Sequence, residues 1–137
     1  MPLAQILKLY GLTALVFFAI DLVWLGWVAP GFYQRHAGHL LAEQVRWVPA
    51  LFFYAIYIAG LLTFAIVPGL HAGSPLRAVL LGTFLGFFAY ATFDLTCFAL
   101  FKDFPLIVVV VDLIWGSVLS GSVSAAGYGI GRWLGIG

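Results

Sequence analysis

A short acidic phrase recurs three times inside apolar stretches: Asp21-Leu22-Val23-Trp24, Asp94-Leu95-Thr96-Cys97 and Asp112-Leu113-Ile114-Trp115. Carboxylates are costly in hydrocarbon and mark a site of function by default. Three of the chain's five acidic residues stand in such settings. No Lys or Arg occurs in the central part of any of these stretches, so the carboxyls lack a fixed positive partner. Desolvation and mutual repulsion then favour shared protons or a bound cation. With tyrosine hydroxyls at hand, such a cluster suits a proton in a relay, a hard divalent ion, or the cationic or hydroxyl head of an amphiphile. The plainer alternative is that protonated carboxyls tie helices together by hydrogen bonds.

The elements that position these residues belong to a membrane protein. The 137 residues are 64% hydrophobic, 18% aromatic and 8% charged, with a mean hydropathy of +1.13, whereas soluble domains are about a quarter charged. A formal net charge of +1 provides neither a basic field for nucleic acid nor a polybasic anchor for anionic lipid. Nucleic-acid binding is therefore excluded, and the single Cys97 excludes an intramolecular disulfide. A spanning helix needs about 20 apolar residues. Four stretches qualify, at residues 6–28, 48–67, 78–101 and 106–128. The first exceeds the apolar region of a signal peptide and is expected to remain as helix one. Pro30-Gly31, Pro49, Pro68-Gly69, Pro75 and Pro105 fall at the expected ends. The expectation is one all-α domain over residues 1–137, an antiparallel four-helix membrane bundle with a short interfacial helix in residues 31–46.

Four crossings put both termini on one face, here side one. Lys8, Arg77 and Arg132 on side one balance Arg35, Arg46 and Lys102 on side two, so the positive-inside rule barely discriminates. The amino terminus and the lack of acidic residues on side one favour cytoplasmic termini. Counted from the expected span ends, all three aspartates lie roughly 10 Å below side two at 1.5 Å per residue. Tyr54 and Tyr57 on span two come to about the same level. Residues four apart share a helical face. Thr13, Phe17 and Asp21 form one stripe, Gly82, Gly86, Tyr90 and Asp94 a second, and Asp112, Gly116, Ser120, Ser124 and Tyr128 a third. These small or polar stripes turn the carboxylates inward, and Gly82 and Gly86 have the spacing of close membrane-helix contact. Trp24 and Trp115 each follow an aspartate by three, and either wall the pocket or anchor at the interface.

Residues 31–46 are too polar to span, with Phe32, Tyr33, Leu40, Leu41 and Val45 available for an interfacial face. This segment is placed to lid the acidic layer. His36, His39 and Glu43 line one helical face and are weak candidates for metal ligands, since no His-Glu-x-x-His motif is present. His39 and Glu43 also suit a simple i,i+4 pair. The chain has no phosphate loop, no Gly-x-Ser-x-Gly elbow and no intramembrane lysine for a Schiff base, which disfavours nucleotide hydrolysis and retinal binding. The match of Asp21-Leu-Val-Trp with Asp112-Leu-Ile-Trp is compatible with an inverted repeat, but covers few residues.

Leu9-Tyr10, Asp21-Leu-Val-Trp-Leu-Gly26, Phe32-Tyr-Gln-Arg35, Gly38-His-Leu-Leu-Ala42, Ala89-Tyr-Ala-Thr-Phe-Asp-Leu-Thr96 and Val111-Asp-Leu-Ile-Trp-Gly-Ser-Val-Leu-Ser-Gly121 form an ordered set across nearly the whole chain. Together they resemble a family of small bacterial membrane proteins, domain of unknown function 2177. The resemblance implies a four-span protein of the bacterial inner membrane and matches at Asp21, His39, Asp94 and Asp112, with His36 outside the matching part. It brings no assigned activity, only a loose association with lipid modification. The expected site is Asp21, Asp94 and Asp112, supported by Tyr54, Tyr57, Tyr90, His39, Trp24 and Trp115. Its reading is proton, cation or head-group binding, with transport as one outcome. A lipid-modifying enzyme with a carboxylate acid/base pair and a non-catalytic partner subunit stay open beside it. So do a divalent cation as cofactor, a lipid or other small amphiphile as ligand, and a homo-oligomer or partner protein.

Overall fold

The computed structural model describes residues 2–42, 44 and 46–136. Four helices are long and apolar enough to cross a membrane: α1 (Leu3–Leu40), α2 (Trp47–Ala72), α3 (Pro75–Leu100) and α4 (Leu106–Trp133). No strand occurs among the described residues. Lipid-facing positions carry large apolar side chains, with Trp27 86% exposed, Ile56 69% and Phe52 67%. Such a surface is stable only in contact with the bilayer, where every backbone group is satisfied within its own helix.

α3 and α4 form the most intimate pair. A side chain on Gly82 would strike Ser124, one on Gly86 would strike the Gly116 carbonyl and Ser120, and one on Gly116 would strike the Tyr90 ring. The partner numbers fall along α4 as they rise along α3, so the two helices run antiparallel. Missing side chains at the contact allow this approach, in which dispersion between backbones replaces the hydrophobic drive that lipid cannot supply. α2 runs parallel to α4, with Gly127 against Ile66 and Gly131 against Leu70. α1 runs antiparallel to α4, since Gln5 Nε2 donates to the Leu134 carbonyl at 3.3 Å while Trp24 faces Trp115.

Two joints differ from expectation for one physical reason. Pro30-Gly31 and Pro68-Gly69 had the look of helix ends, yet both helices run through them, in each case just after a π-helical turn, Trp24–Val28 in α1 and Leu62–Ile66 in α2. An interior proline lacks a donor and crowds the carbonyl four residues earlier, here Gly26 or Phe64. The wider turn upstream absorbs both defects. The helical part of residues 31–46 is accordingly a continuation of α1 through Ala29–Ala37 and a 3₁₀ turn at Gly38–Leu40, not a helix set apart from span one. The remaining joints behave as expected. Gly73 takes φ +63° after α2, Ser74 caps α3 by accepting from the Arg77 amide at 3.1 Å, and Pro105 precedes α4.

The second π turn also shapes the molecule. The Leu62–Ala72 half of α2 lies against α3, with Gly69 pressed on Ala78, whereas the Trp47–Leu61 half leaves α3 and leans towards α1. α2 and α3 therefore splay apart towards side two.

Candidate functional site

All three aspartates face the interior, as their cost requires: Asp94 is 0%, Asp21 6% and Asp112 8% exposed. Along α1 the buried residues Leu9, Thr13, Phe17 and Asp21 recur every fourth position. On α4, Asp112, Gly116, Ser120 and Ser124 do the same.

The carboxyls form two tiers. Asp94 and Asp112 lie side by side where α3 and α4 face each other, near enough for their carboxyls to interact directly. Even so, neither oxygen of Asp94 has a hydrogen-bond partner of good geometry. The Tyr33 hydroxyl donates to Asp112 Oδ1. Asp21 belongs to a deeper tier, with the Tyr54 hydroxyl and the Trp115 indole as its polar neighbours. By the pairing of α1 with α4, Asp21 lies level with Val118, six residues beyond Asp112, which at 1.5 Å per residue is about 9 Å. The expected common depth counted from an end of helix one near residue 28, and α1 has no end there. Tyr90 joins the tiers, since its ring packs on Gly116, which lies between Asp112 and the level of Asp21.

Tyr57 shares a 2.5 Å hydrogen bond with Ser120, and its ring meets Tyr90 at 6.4 Å and Phe17 at 6.2 Å. Trp24 and Trp115 stack in parallel, 4.4 Å between centroids. The stack packs α1 on α4 one turn from Asp112 and from Asp21, and the buried Trp115 Nε1 has no partner of good geometry. His39 lies apart from the carboxyls. Its Nε2 is 3.0 Å from the Asp103 carbonyl, which fastens the end of α1 to the α3–α4 turn. His36 packs on Phe32 at 4.9 Å, and Glu43, like Val45, lies outside the described residues. Among the described residues no three His, Cys, Asp or Glu side chains converge closely enough to hold a metal ion.

Tyr33 is the residue that sequence reasoning assigned to the wrong role. It had the look of an interfacial apolar side chain, because residues 31–46 were separated from span one. On a continuous α1 it sits twelve residues, or a little over three turns, beyond Asp21. In a regular helix that spacing leaves it about a third of a turn away from the Asp21 face, and it is the wider π turn at Trp24–Val28 that brings its hydroxyl round to Asp112.

No curated protein and no solved structure matches this chain. A family model described as a predicted membrane protein matches residues 6–129, a range that takes in all three aspartates, Tyr33 and the tyrosines of α2 and α3. On that match the chain belongs to the family of predicted membrane proteins, domain of unknown function 2177.

Proposed function

We propose that this protein binds the polar head group of an amphiphile, cationic or hydroxyl-bearing, in the pocket of carboxyls and tyrosines below side two. The observation that carries the reading is Asp94, wholly buried beside Asp112 with no hydrogen-bond partner of good geometry at either oxygen. A buried polar group without a partner costs about 1–3 kcal/mol, and helix packing gains nothing from retaining one. An ammonium or hydroxyl group would supply the missing donors. Asp112, held by Tyr33, and Asp21, beside Tyr54, would share the head group with it. Ala29–Leu40 of α1 forms the lid, latched by Tyr33 and by His39. Transport follows if the head group is released on the far side. Location in a bacterial inner membrane, with cytoplasmic termini, is part of this reading.

The adjacency of Asp94 and Asp112 favours one second reading. Two carboxyls side by side are the acid/base pair a lipid-modifying enzyme requires.

Native mass spectrometry of the gently solubilised protein decides between a site and a structural tie. A bound species present in the wild type and lost from folded Asp94→Asn and Asp21→Asn variants is the expected result. Identical spectra for all three would refute head-group binding. Turnover of extracted membrane lipids, abolished by Asp94→Asn but retained in Arg132→Gln, would establish the enzymatic reading instead.

A further inference from the structure

A cavity of about 450 Å³ lies between α2 and α3, lined by Phe53, Ala89, Tyr90 and Phe93. It occupies the cleft left where the Trp47–Leu61 half of α2 departs from α3. Phe53 and Phe93 are 45% and 60% exposed, so the cavity opens sideways, towards lipid. One wall is Tyr90, whose ring lies against Gly116 of α4, one turn from Asp112, and meets Tyr57. Phe53 stacks on Tyr57 at 5.4 Å, and Phe93 immediately precedes Asp94 in α3. The apolar cavity and the carboxyl site therefore share a wall and a depth.

Resting on the head-group reading, we propose that this lateral cleft seats the hydrocarbon chain of the same amphiphile, which enters from the bilayer between α2 and α3. The volume lies within the range of about 300–1,000 Å³ found for small-ligand sites and suits one chain, not a protein helix. The lining is aromatic and aliphatic, and its only hydroxyl belongs to Tyr90, whose ring packs on Gly116 one turn from Asp112. A ligand with a polar head among aspartates inside the bundle must pass its tail out somewhere, and on α3 this cleft adjoins Asp94. Because lipid tails are as apolar as the cleft, seating is a matter of fit and not of hydrophobic gain. Filling the cleft should therefore exclude the chain outright.

The test uses the full-length protein in vesicles of phosphatidylethanolamine and phosphatidylglycerol. These contain a trace of phosphatidylethanolamine bearing a diazirine midway along one acyl chain. After irradiation, peptide mapping should find labelling concentrated on Phe53, Ala89 and Phe93 over Phe84 and Phe88, which face lipid elsewhere on α3. The excess should vanish in Ala89→Trp, or in the milder Ala89→Leu if the larger side chain impairs folding, and also in Asp94→Asn. Uniform labelling along α3 would overturn the cleft and leave the head-group reading intact. An excess abolished at Ala89 but unchanged in Asp94→Asn would overturn the head-group reading and, with it, the shared ligand.

Discussion

At the scale of the residue, Asp94 separates a binding group from a structural one. If its carboxyl tied helices together, replacement by leucine would remove useful bonds and destabilise the protein. With no partner of good geometry at either oxygen and the Asp112 carboxyl alongside, Asp94→Leu removes a desolvation cost and a like-group contact while keeping an apolar volume, which is neutral or stabilising. Asp94→Leu should therefore raise stability by about 1 kcal/mol while abolishing the bound species. Denaturation of the solubilised protein measures the first effect, and a clear loss of stability would rule out the unpartnered carboxyl. Ser120→Ala should move the other way, since the Tyr57 hydroxyl would lose its partner in a buried setting, at about 1 kcal/mol. The inward direction of the three aspartates was legible from four-residue periodicity alone, because hydrocarbon leaves a carboxyl no other place. The bond from Tyr33 to Asp112 was not, since a tyrosine among polar neighbours reads equally well as an interfacial side chain.

At the scale of the element, prolines carry the lesson. Pro75 and Pro105 begin helices, as a missing donor allows, while Pro30 and Pro68 lie within them. All four sit beside turn-forming residues or polar breaks, so local composition does not distinguish them. What does is a π turn upstream, which depends on packing and leaves no mark in hydropathy. The four spans themselves were plain, because no other structure satisfies such backbones in lipid. Two outcomes follow from helix contacts. Gly86→Val would drive a side chain into the Gly116 carbonyl and Ser120, and should cost about 1–3 kcal/mol as overpacking. Gly60→Ala, where nothing lies within reach of a new Cβ, should change unfolding little by comparison. In α1, Tyr33→Phe removes one of the latches of the Ala29–Leu40 segment. Hydrogen exchange should then quicken in that segment while Leu3–Val23 stays protected. Unchanged exchange there would mean that the Trp24–Trp115 stack and His39 hold the lid without Tyr33.

For the molecule as a whole, the elements around the carboxyls share one end. The lid of α1, the Asp94–Asp112 tier and the splay of α2 from α3 all lie towards side two, whereas towards side one α2 packs closely on both α3 and α4, Gly69 against Ala78 and Gly131 against Leu70. The face that side two presents therefore decides which leaflet supplies the ligand. Lys and Arg divide three against three between the faces, so charge leaves the orientation nearly balanced. Cysteine labelling resolves it, because the chain has a single native thiol, Cys97, which is buried and replaceable by serine. In a Cys97→Ser background, Lys102→Cys in the α3–α4 turn reports side two and Ser74→Cys between α2 and α3 reports side one. With cytoplasmic termini, a membrane-impermeant maleimide added to intact cells labels the protein at position 102 and spares position 74. The cleft between α2 and α3 then draws its amphiphile from the outer leaflet of the membrane. The reverse pattern turns the pocket inward, and the ligand becomes a lipid of the cytoplasmic leaflet, reached through the same cleft and carboxyls.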